Sequence, residues 1–409
     1  MVDKLFAYIE SKRKYAIELI SKLIAIPTIN PPGSNYERMV KFLEIQCLAL
    51  GLKTKKIETP QKILEQHGIT SGSRRINLIA ELDVKAKKTL HINFHYDVVP
   101  ATGRWDTDPF RPVVKGNRIY GRGAEDMKGN IASIFLAIDA IKSCSIIPQI
   151  NLQLSFTPDE EIGGHTGLGY LVQRGLVRAD YAMGEGYAGS NVSVGNKGVL
   201  WAEILVKGKA SHASMPYRGV NAFEKAVELA VELKKLIRGI SKRKTVYSTI
   251  DELSKSPSMV IGGILEGGVK INIVPDMVRF SIDRRLIPEE KVDSARKELT
   301  AVVDRFNNAN KDSKAYLKFI TKQNPSISRK DEVFFGVVSD AIRYVKGRHA
   351  RFCILSGATD MRYFMNKGIP SLGYSVKGGE SWHSDNEFVL IDSLVDTAKV
   401  YALIISRLY

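Results

Sequence analysis

Thr89-Leu90-His91-Ile92-Asn93-Phe94-His95-Tyr96-Asp97 decides how the chain is built, because it reads as a short apolar strand that ends on an imidazole and a carboxylate. The arrangement recurs. Gln149 to Phe156 reads as a strand running into Thr157-Pro158-Asp159-Glu160-Glu161, and Tyr181 to Met183 precedes Gly184-Glu185. Helical spacing of apolar residues covers Asp3 to Ala25, Asn35 to Leu50 and Asn130 to Lys142, and Asn77 to Leu82 reads as a further strand. Strands alternating with helices predict an α/β domain with a mostly parallel central sheet flanked by helices. Open parallel sheets gather their functional groups at the carboxyl ends of their strands, which is where these acids and histidines fall.

The pattern changes after Asn196. A strand (Leu200 to Val206), a helix (Ala222 to Ile237), two strands (Met259 to Ile264 and Met277 to Arg284), a helix (Glu289 to Phe306) and a last strand (Tyr316 to Thr321) follow. That β-α-β-β-α-β order predicts a ferredoxin-like domain. Helix, strand and helix then resume at Asp331 to Tyr344, Ser371 to Ser375 and Asp392 to Leu408, with Gly357 to Asp360 in a loop. The expected organisation is a discontinuous catalytic domain, 1–196 and 323–409, with 197–322 inserted as a lid and dimerisation domain.

The 409 residues suit two domains, and 44% hydrophobic with 25% charged residues is ordinary for a soluble globular chain. No apolar run reaches the roughly eighteen residues of a membrane span, and Met1 to Lys14 lacks a signal-peptide core, so a cytoplasmic protein without membrane contact is expected. Cys47, Cys144 and Cys353 stand apart and read as reduced thiols. The formal charge of +16 is the one oddity. It is spread along the chain, runs such as Lys242-Arg243-Lys244 are short, and no stacking aromatics accompany them, so a solvated surface is favoured over nucleic acid.

His95 and Asp97 share one face of an extended segment, which suits a metal ligand and the group that orients it. Alone, a His-x-Asp pair is common by chance. Asp126, in Gly121-Arg122-Gly123-Ala124-Glu125-Asp126-Met127-Lys128-Gly129, either caps the following helix or bridges two metals in a turn that glycines free for close approach. Glu160 and Glu161 repel one another unless a cation compensates, and one bound to metal with the other beside a water supplies a general base. An exposed acidic loop is the plain alternative. Glu185 between two glycines, and His383 in Ser381-Trp382-His383-Ser384-Asp385-Asn386-Glu387, complete an N/O ligand set with no thiolate. His67, His91, His165 and His349 read as ordinary histidines.

Together these pieces, in matching order from His95 to His383, resemble the co-catalytic zinc amidohydrolases and peptidases: acetylornithine deacetylase, succinyl-diaminopimelate desuccinylase, aminoacylase and the glutamate carboxypeptidases. The resemblance implies two Zn2+ per subunit, replaceable by Co2+ or Mn2+. One would be held by His95, Asp126 and Glu185 and the other by Asp126, Glu161 and His383, with Glu160 as base and Asp97 behind His95. Gly208-Lys209-Ala210-Ser211-His212-Ala213-Ser214-Met215-Pro216 is similar to the segment whose histidine, here His212, reaches the active site of the partner subunit in a homodimer formed through the lid. Asn272 and Arg284, with Arg285 as competitor, resemble the residues that hold a substrate carboxylate. Asp360 and Arg362 match a family run near the substrate, but Met361 replaces the glycine before the arginine.

The implied activity is hydrolysis of an amide bond in N-acyl amino acids, with a metallo-exopeptidase acting on short peptides as the alternative. A basic nucleic-acid-binding protein and a metal-dependent scaffold without activity are the remote readings.

Overall fold

The computed structural model describes residues 2–70, 74–379 and 382–409. Ser381, quoted above with His383, lies outside the described residues. Two compact units are present: Met1–Val194 with Ser328–Phe352 and Thr359–Tyr409, and Gly195–Ile327 with Cys353–Ala358.

In the first unit four parallel strands run side by side in the order Asn151–Thr157, Thr89–His95, Tyr181–Tyr187 and Ser371–Tyr374. Antiparallel strands flank them: Ile76–Leu82 beside Asn151–Thr157, then Lys53–Glu58, and on the other side Asn191–Asn196 beside Ser371–Tyr374. The fold is α/β with a mostly parallel central sheet, as the strand spacing predicts. Every residue of Thr89–His95 is buried, the expected state of a strand covered on both faces.

Two helices dominate the core. Gly129–Ser143 carries Ile131, Ile134, Phe135, Leu136, Ile138 and Ile141, apolar around its whole circumference, and lies against Ile391–Arg407, which is nearly as apolar. A helix with no polar face has little solvent side, and most of Gly129–Ser143 is interior, while Ile391–Arg407 keeps Asp392, Asp396 and Lys399 along one outward stripe. Truncating one such side chain, Ile134 for instance, costs about 2–5 kcal/mol because the cavity only partly collapses. The amino-terminal segment, read as one helix, forms two, Val2–Ser11 and Arg13–Ile24, with the break at Lys12.

The second unit holds an antiparallel sheet ordered Ser258–Gly267, Met277–Leu286, Gly198–Lys207, Lys314–Gln323. Along the chain, with helices Ala222–Ile240 and Val292–Ala309, this is β-α-β-β-α-β. Alternate residues Leu200, Ala202, Ile204, Val206, Phe280 and Ile282 pack against Leu229, Leu233, Leu299 and Phe306 of the helices. Phe223, Val227 and Val231, four apart on one helix, are exposed, as are Val260 and Leu265 of the edge strand.

Candidate active site

The carboxyl ends of three neighbouring parallel strands carry the acids and the histidine. His95 closes its strand, Glu160–Ile162 forms a single 3-10 turn just after Asn151–Thr157, and Glu185 lies near the end of Tyr181–Tyr187. Asp126 sits in the irregular turn Ala124–Lys128 that leads into Gly129–Ser143, and its peptide bond to Met127 is cis. His383 lies in the loop before the strand Phe388–Leu390.

These five elements converge. His95 Nε2 is 2.9 Å from Asp126 Oδ1. His383 Nε2 is 3.4 Å from Asp126 Oδ2 and 3.1 Å from Glu161 Oε2. Ligand atoms of His95, Asp126 and Glu185, and again of Asp126, Glu161 and His383, lie within 4.8 Å of one another. The two triads share Asp126, one carboxylate oxygen toward each histidine.

A divalent cation fits this donor set. Glu185 Oε2 is buried with no hydrogen-bond partner among the described residues, and an orphaned acceptor of that kind is costly unless a ligand completes it. Burial and the charges of its neighbours push the Glu185 and Glu160 carboxyls well above the usual range; Glu185 and Asp360 crowd Glu160, and Asp126 crowds Glu185. Imidazole and carboxylate donors without thiolate suit zinc and its first-row relatives. Hydrogen bonds donated to the carboxylates of Asp126 and Glu161 raise the His383 imidazole to about 10.

Asp97 differs in detail from its expected place. The group nearest His95 Nδ1 is the Asp97 carbonyl oxygen, at 3.1 Å, while its carboxylate Oδ1 is at 3.6 Å. The carboxylate is turned instead to the backbone N–H groups of Glu160 (3.2 Å) and Glu161 (3.3 Å), which donate to it. Asp97 therefore touches both halves of the site.

Two supports went unassigned in the sequence although both fall in quoted stretches. Glu387 is buried and accepts hydrogen bonds from the N–H groups of Gly123 (3.0 Å), Glu125 (2.9 Å) and Asp126 (3.2 Å) and from Arg122 Nη1 (2.8 Å). Arg122 Nη2 donates to the His383 carbonyl at 3.2 Å. One buried pair thus ties the Asp126 turn to the His383 loop. The only hint in the sequence was the placement of an acid four residues after His383.

Asp360 and Arg362 also belong to this unit. Arg362 is buried and donates to the Thr359 carbonyl at 2.7 Å and to the Gly163 carbonyl, which also accepts from the Tyr363 hydroxyl at 2.7 Å. The guanidinium braces the turn that follows Glu161. Asp360, 3.5 Å from Arg362 Nη1, packs on Gly164, where a Cβ would come within 1.9 Å of its Oδ1. Burial raises its carboxyl to about 6. Met361 is buried, its Cε above Gly184.

His212, Asn272 and Arg284 lie in the second unit. His212 is exposed on the short strand Ser211–His212, paired with Ile273–Val274, and Ala213 N–H donates to the Asn272 carbonyl at 3.0 Å. Arg284 falls on the buried face of Met277–Leu286 and pairs with Glu290 (3.0 Å) and Glu298 (2.6 Å). Arg285 points to the opposite face, partly exposed, with Asp283 at 2.8 Å. His91 is interior, between Gln153 (2.9 Å) and Ser155 (2.7 Å).

The chain resembles known proteins along most of its length. The chain is 28% identical to an uncharacterized metallohydrolase of Methanocaldococcus jannaschii, over 94% of this chain and 97% of that one. It is 25% identical to the succinyl-diaminopimelate desuccinylase of a Nitratiruptor species, over 91% and 93%. Human carnosine dipeptidase 1 shares the fold, with a TM-score of 0.80 at 19% identity over 99% and 98% of the two chains. Residues 91–407, the span that contains all five ligand candidates and Glu160, match the model of peptidase family M20/M25/M40, and the chain is a metal-dependent hydrolase of that family.

Proposed function

We propose that the chain hydrolyses the amide bond of N-acyl amino acids with two zinc ions per subunit, Co2+ or Mn2+ serving in their place. The observation that carries this is the pair of ligand triads sharing Asp126 with a fourth carboxylate, Glu160, beside them. His95, Asp126 and Glu185 would hold one ion, and Asp126, Glu161 and His383 the other. Bound there, the metals supply polarisation of a carbonyl and acidification of a water. Glu160 takes the proton of the attacking water and gives it to the departing amine nitrogen. Asp97 holds the backbone N–H groups of Glu160 and Glu161, so the base keeps its place while its proton moves.

Relatives named as desuccinylase support the deacylase reading. An exopeptidase would use the same residues, and both take small amino-acid or peptide substrates. In the second unit Arg285, partly exposed on the open face of its strand, suits a substrate carboxylate better than the fully buried Arg284. The exposed row Phe223, Val227 and Val231 and the open edge strand beside Val260 and Leu265 support a homodimer through that unit, across which the partner subunit's His212 would stabilise the oxyanion.

The test is amine release from N-acetyl and N-succinyl amino acids alongside dipeptides, using zinc- or cobalt-loaded protein and a chelator control. The expected result is chelator-sensitive turnover of acylated amino acids that falls at least about 100-fold in Glu160→Gln with metal retained. Turnover of dipeptides alone selects the exopeptidase. An undiminished rate in Glu160→Gln would sink the mechanism.

A further inference from the structure

The turn that carries Glu160 is held by a second layer of groups which none of the chemistry above assigns. Asp159, the residue before Glu160, has φ +66°, a conformation that disfavours L side chains and persists only where its surroundings fix it. Asp159 Oδ1 accepts from Asn30 Nδ2 (3.0 Å) and from the Tyr36 hydroxyl (3.0 Å), and its Oδ2 accepts from Arg75 Nε (3.0 Å) and from the Thr166 hydroxyl.

Asn30 does more than complete that shell. Its other amide hydrogen goes to Asp97 Oδ2 at 2.9 Å, and Asp97 is the carboxylate that receives the N–H groups of Glu160 and Glu161. The amide orientation follows from chemistry, since turning it over would set its carbonyl oxygen against two carboxylates. Asn30 itself is fixed by the backbone: its N–H donates to the Val98 carbonyl (2.8 Å), and Val98 N–H returns to the Thr28 carbonyl (2.9 Å). Both carboxylates are buried and repel one another. Placing a two-donor amide between them lets both sit within hydrogen-bond reach of a single side chain.

We propose that Asn30 is a positioning residue for Glu160: by joining the carboxylates of Asp97 and Asp159 it fixes, from both sides, the turn on which the base stands. The inference rests on the reading of Glu160 as base. Asn30 is neither a metal ligand nor in contact with the reacting atoms. Tyr36 acts in the same shell through its hydrogen bond to Asp159, so its effect is smaller.

The experiment follows amide hydrogen exchange of the zinc-loaded full chain, parent against Asn30→Ala, alongside zinc content and the hydrolysis of N-acetyl-L-alanine and L-alanyl-L-alanine. The expected outcome is faster exchange, by about tenfold or more, confined to the amides of Glu160 and Glu161. With it kcat falls at least about tenfold on whichever probe is turned over, while KM and zinc content stay within about twofold. Unchanged exchange at those amides overturns the proposal. So does a loosening spread evenly over the chain, the mark of a merely structural role, and so does local loosening without a fall in kcat. Tyr36→Phe, which removes one donor to Asp159 and keeps the ring, is the second variant if Asn30→Ala does not fold, with the same local pattern at smaller amplitude. A Glu160→Gln variant that keeps the parent's rate removes the base reading by itself. Exchange at the two amides still decides whether Asn30 holds the turn.

Discussion

His91 stands four residues before a metal-ligand candidate and has no part in the site. Burial lowers its imidazole to about 4 from the ordinary 6.5, so the folded protein holds it neutral where the unfolded chain would protonate it. The sign follows directly. Its contribution is complete above pH 6.5 and is lost as pH falls toward 4, at about 1.4 kcal/mol per pH unit. Urea midpoints of the parent and His91→Asn, measured from pH 7 to pH 4, are expected to fall less steeply in the variant; equal slopes would refute the assignment. Single residues also mark where the sequence was and was not legible. The metal-ligand candidates could be found because histidine and acid at strand ends are chemically conspicuous. Arg284 shows the opposite case. The alternation Val278, Phe280, Ile282, Leu286 already put it on the apolar face, and a buried arginine needs acids around it, which Glu290 and Glu298 supply. Asn30 and Glu387 left no such mark, because their importance lies in what they touch across distant parts of the chain.

Among the elements, the turn between Tyr120 and Gly129 carries a tight demand. Gly123 has φ +83°, and a Cβ there would lie 2.6 Å from Val98 Cγ1. Gly123→Ala is therefore expected to cost about 2 kcal/mol, from backbone conformation and contact together, and to lower metal retention by shifting Asp126. Chemical denaturation and metal analysis after dialysis check both parts; a loss under about 0.5 kcal/mol would show that the turn adapts. Helices and central strands were readable because apolar periodicity is strong where both faces are covered. Lys53–Glu58 was not, since Lys-Thr-Lys-Lys-Ile-Glu has little apolar alternation. As the outermost strand on its side of the first unit's sheet it is mostly exposed, and lysines there discourage pairing with another chain. The break at Lys12 escaped notice for a different reason, as the apolar spacing continues across it and no proline or glycine marks the join.

For the whole molecule, the proposed homodimer makes a quantitative expectation. If each site needs Glu160 of one subunit and the partner subunit's His212, then inactive His212→Ala and Glu160→Ala proteins, mixed and allowed to exchange subunits, recover about a quarter of the parental activity, since half the dimers are hybrid and each restores one of two sites. No recovery under verified exchange would separate His212 from the chemistry. The order of synthesis adds a constraint of its own. His383 and the helix Ile391–Arg407 follow the base and the other ligand candidates in the sequence, yet one completes the second ligand triad and the other lies in the core against Gly129–Ser143. A nascent chain thus carries the base and four of the ligand candidates long before it can close its interior or assemble both triads. Premature release upstream of Ile391 yields a product with an open core that chaperones and proteases can recognise, and metal loading of the second triad has to wait until His383 has been made.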